Sequence, residues 1–153
     1  MIDFNQGFYA GEFRHNLDAK RRLTVPSKWR SEGDDSQTYL AFPDPAGCVT
    51  VYPPEMVAEL KEKISKVSIG DKKGRRAITK LLASADSFSF DKNGRITVND
   101  RLFQHAGITK EVVLAGTVNF FQLWNPERYE AYVADDEEDE DGDLSDILAD
   151  LGF

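Results

Sequence analysis

The chain has 153 residues, with 27 Asp plus Glu against 19 Lys plus Arg and a formal net charge of −8. Residues 135–153 carry ten of those acids and no base, so residues 1–134 hold 17 acids and 19 bases, a net of +2. The acidic average therefore does not exclude a nucleic-acid partner for the body, whereas the lack of any apolar run near twenty residues argues against a membrane span and the single Cys48 excludes an internal disulfide.

Met1-Ile2-Asp3-Phe4-Asn5-Gln6 has neither a basic n-region nor an apolar h-region. No secretory signal is expected, and a reducing, cytoplasmic setting fits best. A strand is predicted over 11–17, followed by the turn Asp18-Ala19-Lys20-Arg21-Arg22 and a strand over 22–25 that Pro26 stops. A short helix over 27–30, with Ser27 as a plausible cap, leads to strands over 38–42 and 49–52. Cys48 opens the apolar-rich run Cys48-Val49-Thr50-Val51-Tyr52 and reads as a small core residue rather than a nucleophile.

Residues 55–67 and 71–85 have helical spacing, with Met56, Leu60, Ile64 and Val67 on one stripe. Gly70 separates the two helices, and Gly74 weakens the start of the second by about 1 kcal/mol relative to Ala. Segment 61–80 carries eight bases and two acids. It reads as a solvated face, or as a contact surface for another subunit or for the acidic tail.

From residue 87 the first pattern returns. Asp91-Lys92-Asn93-Gly94-Arg95-Ile96-Thr97-Val98 follows Asp18-Ala19-Lys20-Arg21-Arg22-Leu23-Thr24-Val25 at an offset of 73, and Lys28 falls on Arg101. Strands are predicted over 87–90, 95–98, 111–115 and 120–124, with a helix over 100–105 capped by Asn99. Pro54-Glu55 and Pro126-Glu127 suit the first turn of a closing helix in each copy. A lone unit of this size buries too little surface to be stable, and two copies can share one core. The expected organisation is a first repeat over 1–60, a helical connector over 61–84, a second repeat over 85–134 and an acidic tail over 135–153. The tail's seven consecutive acids, 135–141, self-repel and favour disorder. Beyond them Leu144, Ile147, Leu148 and Leu151 recur at amphipathic spacing. The tail does not read as an EF-hand, because Leu144 would stand where that loop requires Gly.

The run Gly11-Glu12-Phe13-Arg14-His15-Asn16-Leu17-Asp18-Ala19-Lys20-Arg21-Arg22 resembles the first signature of the MraZ proteins, and Phe90-Asp91-Lys92-Asn93-Gly94-Arg95-Ile96 resembles the second. Lys110-Glu111-Val112-Val113-Leu114-Ala115-Gly116 and Leu123-Trp124-Asn125-Pro126-Glu127-Arg128-Tyr129 extend the likeness over about residues 7–133. The resemblance implies an α+β, mainly β fold built from two AbrB-like swapped-hairpin units with an interposed helical pair. It further implies a ring-forming, nucleoid-associated transcriptional regulator that usually represses a bacterial division and cell-wall gene cluster. Such a regulator binds double-stranded promoter DNA at direct repeats. Two features depart from the family pattern: Arg21 stands where Gly is usual, and the acidic tail continues past Val133, near which members usually end.

The candidate DNA contacts are Arg14, His15, Lys20, Arg21, Arg22 and Lys28. An Arg at a loop tip can bond guanine O6 and N7 bidentately while neighbouring cations hold phosphates. Asp18 can orient Arg22 through a local ion pair. Asp91, Lys92 and Arg95 form either a second DNA contact or a purely structural turn. His15 and His105 read as packing or support residues. No metal or other cofactor is expected, and no acid–base pair or nucleophile set suggests an enzyme. The alternative function is an AbrB-like antitoxin or protein-interaction module whose acidic tail engages a protein partner. The tail could also dock on the protein's own basic segment.

Overall fold

The computed structural model describes residues 8–31, 33–135 and 149–152. The chain is α+β, with a mostly antiparallel sheet and four helices among the described residues. Strands β1 (Glu12–Asn16), β2 (Leu23–Thr24), β3 (Tyr39–Asp44) and β4 (Cys48–Tyr52) precede helices α1 (Pro54–Ser65) and α2 (Lys72–Ala83). Strands β5 (Asp86–Phe88) and β6 (Arg95–Ile96), helix α3 (Asp100–Ala106), strands β7 (Glu111–Gly116) and β8 (Phe121–Trp124), and helix α4 (Pro126–Ala134) complete the order.

Six strands form one sheet in the order β1-β7-β8-β4-β3-β5, and β2 pairs with β6 in a separate two-stranded ladder. Replacing every element by its counterpart in the other copy reverses this order onto itself. The pairing also crosses the copies. β1 runs antiparallel to β7, from Glu12↔Ala115 to Asn16↔Glu111, and β5 pairs with β3 at Tyr39↔Phe88. Strands from the two halves of the chain therefore share one sheet.

Alternation along the strands divides the core. Val112 and Leu114 face the main cluster, where Tyr9, Trp29 and Phe121 pack with ring centroids 5.3–5.7 Å apart. Val113 and Ala115 point to the other face and join Cys48 and Trp124, which α4 covers with Tyr129 and Tyr132. At the two-stranded ladder Leu23 faces Ile96, and both are fully buried.

The second-copy helix is seven residues long, and the Asn99 side chain caps it by accepting from Leu102 N. Its first-copy counterpart is a single 3-10 turn, Ser27–Trp29, with Pro26 at the cap position and no side-chain cap bond. Trp29 closes the shorter turn. Its ring is buried, its indole Nε1 donates to Ala10 O at 3.1 Å, and the backbone turns extended at Arg30. β3 runs on through Pro43 because β5 covers only Tyr39–Ala41, leaving no neighbour on that edge to require the missing N–H.

The predicted helical pair is present as α1 and α2. Gly74 has a local reason. Asp71 caps α2 by accepting from Gly74 N at 2.8 Å, and a Cβ at Gly74 would lie 2.7 Å from the Asp71 carboxylate. Among the described residues no helix is long and apolar enough to cross a membrane.

Candidate nucleic-acid interface

The two Asp-x-x-x-Arg segments fold into the same turn. Asp18 N donates to Arg22 O at 3.0 Å, and Asp91 N donates to Arg95 O at 2.9 Å. Oδ1 of Asp18 accepts from the amides of Lys20 and Arg22, and Oδ2 accepts from Arg22 Nε at 2.6 Å. In the second turn Asp91 Oδ1 accepts from Asn93 N and Arg95 N, and Oδ2 accepts from Arg95 Nε at 2.8 Å. Only a short carboxylate can satisfy the turn amides and hold the guanidinium four residues on.

These bonds keep both carboxylates ionised. The Arg22 amide is the strongest influence on Asp18, and with the Arg22 side chain it holds the carboxyl below the usual range despite some desolvation. At Asp91 desolvation opposes the shift, but the Arg95 amide and guanidinium outweigh it and the carboxyl again lies low.

Pairing of β2 with β6 sets the turns side by side. Val25 N donates to Gly94 O at 3.0 Å, and Arg95 Nη1 lies 3.9 Å from Asp18 Oδ2. Each guanidinium is held through Nε, so its outer edge keeps N–H donors for another partner. Arg22 and Arg95 are half-buried, with side chains 30% and 26% exposed, and each is oriented by the carboxylate four residues before it.

The remaining sequence candidates divide into engaged and unengaged cations. Arg14 lies on the exposed face of β1 among Glu12, Glu111 and Glu130, within 3.8 Å of Glu12 and 3.6 Å of Glu111 and hydrogen-bonded to Glu130. The Glu130 bond is the main reason its affinity for the proton is raised. Sequence reading grouped it with the turn; its partners are strand and α4 carboxylates.

Arg21 has φ 59, the left-handed conformation that its counterpart Gly94 adopts at φ 74. Its Nε donates to Asp100 Oδ1 at 2.8 Å, and its guanidinium sits 5.5 Å from the Phe103 ring centroid. His15 is half-buried on the same β1 face as Phe13. Lys20, Lys28 and Lys92 are exposed and form no ion pair among the described residues. Arg101, the counterpart of Lys28, is likewise exposed and unpaired among them. Sequence reading matched it to Lys28 but did not count it as a site residue. Asp100 and Glu130 were missed as well, since nothing in the local pattern signals partners 79 and 116 residues away.

His105 Nε2 bonds Asp44 O at 2.8 Å, as expected of a support residue. Cys48 is buried and its thiol is pushed up to about 12, first by desolvation and then by Asp44, so it is a packing residue at neutral pH.

The chain is 37% identical over 145 residues to the transcriptional regulator MraZ of Pediococcus pentosaceus, covering 95% of this chain and 99% of that protein. The chain belongs to the MraZ family. The family model described as "MraZ protein, putative antitoxin-like" matches residues 81–147. The transcriptional regulator MraZ of Halothermothrix orenii is 33% identical with the same coverage. That of Lactobacillus delbrueckii subsp. bulgaricus is 36% identical over 143 residues, 91% of this chain and 98% of that protein. The family is one of transcriptional regulators, not enzymes. The match to residue 147 also corrects the expectation that the likeness stops near Val133, because part of the acidic stretch lies inside it.

Proposed function

We propose that this MraZ protein is a sequence-specific, double-stranded-DNA-binding transcriptional regulator that reads its operator with the paired Asp-x-x-x-Arg turns. The observation that carries this reading is the shared geometry of those turns. Two guanidiniums are oriented through Nε by ionised carboxylates, and Lys20 and Lys92 stand beside them with no ion pair among the described residues. An Arg fixed in this way can give its outer edge to guanine, while the lysines hold phosphates. Lys28 and Arg101 extend the phosphate-binding surface. Arg14, engaged by Glu12, Glu111 and Glu130, serves the framework, while Arg21, held through Nε by Asp100, keeps its outer edge for DNA as Arg22 and Arg95 do.

The cross-copy strand pairing supports a reading of residues 1–60 and 85–134 as two AbrB-like swapped-hairpin units joined by the 61–84 connector. A body of net +2 binds DNA weakly at one site, so we assign the working form to a ring that presents the turn pair repeatedly to promoter direct repeats. A division and cell-wall gene cluster is the target, repression is the mode, and the protein is cytoplasmic and nucleoid-associated. Binding of Arg22→Ala and Arg95→Ala proteins to their own promoter in graded salt tests the assignment. Each should lose affinity and base discrimination; unchanged affinity, discrimination and salt slope for both would refute it.

The family's antitoxin-like description favours one alternative, a protein-binding module acting through its acidic tail. Capture of a specific protein partner by the full-length chain, with no promoter binding at low salt, would replace the DNA reading with this one.

A further inference from the structure

Helices α1 and α2 bury no residue fully, although both are amphipathic. Between them Ile64, Val67, Ile69 and Ile78 line an open cleft of about 350 Å³, and Ile69 is 84% exposed. The rim is basic. α2 carries five cations and no acid over Lys72–Ala83. Lys72 and Lys73 occupy its first turn, where the helix dipole disfavours positive charge. Among the described residues Lys61, Lys72, Lys73, Arg76 and Lys80 have no carboxylate partner. The Arg75 guanidinium donates to Ile69 O and has no carboxylate partner among the described residues.

An apolar floor inside a cationic rim calls for an acidic amphipathic peptide. It does not suit a nucleic-acid backbone, which would gain nothing from an aliphatic floor of three half-buried side chains and the exposed Ile69. The chain itself contains one segment of that description. Leu144, Ile147, Leu148 and Leu151 fall at i, i+3, i+4 and i+7, after seven consecutive acids and beside Asp143, Asp146 and Asp150. Leu151, within the described residues, is 67% exposed. Alone, so short a segment gains too little to form a helix in water, so its apolar stripe needs a surface to order on.

We propose that the α1–α2 cleft is the docking site for residues 144–151 of the same chain. The leucine and isoleucine stripe fills the cleft, and the acids at 135–141 lie against the α2 cations. The nine residues from Asp135 to Leu144 can span about 30 Å when extended. Docking neutralises a basic surface that would otherwise attract nucleic acid without sequence preference.

Amide hydrogen exchange over residues 67–80 tests this in three proteins: the full-length chain, a chain ending at Ala134, and full-length Leu148→Asp. Exchange in this segment should be about tenfold faster in the truncated chain and in Leu148→Asp than in the full-length chain. Oxidation of an Ile69→Cys/Leu148→Cys double variant should give an internal disulfide, because Cys48 is buried. Three results would overturn the proposal: equal exchange in all three proteins, protection that survives truncation and rises with protein concentration, or protection that appears only with DNA. The second assigns the cleft to another copy and the third to nucleic acid. If the truncated chain fails to fold, Leu148→Asp and the disulfide decide alone.

Discussion

Arg21 and Gly94 occupy equivalent places in the two turns, yet replacing them should have unequal effects. Both backbones are left-handed, at φ 59 and φ 74. For a residue with a side chain that conformation costs about 1–2 kcal/mol. Arg21→Gly recovers it. The same change removes the exposed Asp100 ion pair, worth about 0.2–1 kcal/mol, and the Phe103 contact, worth about 0.5–1 kcal/mol. It also adds about 0.4–1 kcal/mol of unfolded-chain freedom. These contributions nearly cancel, and the expected change lies within about 1 kcal/mol of zero.

Gly94→Ala has no such compensation. Its Cβ would lie 2.0 Å from Arg30 Nη1 and 2.4 Å from Arg30 Cδ, so Arg30 must leave its bond to Asn93 O. Strain and the displaced side chain together should destabilise the protein by about 1–3 kcal/mol. Urea denaturation of both variants, followed by far-UV dichroism, measures the contrast. If Arg21→Gly stabilises the protein by more than about 1 kcal/mol, the Asp100 and Phe103 contacts hold nothing. If Gly94→Ala is neutral, the turn does not require the conformation described.

Other expectations are as direct. Asp18→Asn and Asp91→Asn should each destabilise the protein at neutral pH. The native carboxyls titrate below their unfolded values, so their contribution is complete above the unfolded range and fades as pH falls through the folded one. Denaturation from pH 7 down to pH 2 should show wild type and variants converging in acid; a constant gap contradicts the ion-pair account. Leu23→Ala, which opens a cavity opposite Ile96 in a two-residue ladder, should cost about 2–5 kcal/mol by the same denaturation assay. Cys48 should resist iodoacetamide in the native protein at pH 7 and react fully in urea, as mass spectrometry would record.

The two matching turns were readable because their turn chemistry and the 73-residue offset are visible in the sequence itself. Asp18 and Arg22, or Asp91 and Arg95, lie four residues apart, so their pairing follows from the sequence. The crossing of β1 to β7 does not, since nothing in Glu12–Asn16 specifies a partner on Glu111–Gly116 rather than within its own copy. The carboxylate partners of Arg14 and Arg21 were hidden for the same reason, since Glu130 and Asp100 lie far away in sequence and reach these bases only in the folded chain. The bond from the Trp29 indole to Ala10 O is likewise a contact that only the assembled core supplies.

The salt dependence of promoter binding tests the central claim most directly. Lys20→Ala/Lys92→Ala protein should bind its promoter with a log–log salt slope shallower by about one for each lysine that meets a phosphate, and Arg14→Ala protein should keep the wild-type slope. Identical slopes for wild type and the lysine double variant, or a reduced slope for Arg14→Ala alone, would place the DNA surface elsewhere than the paired turns.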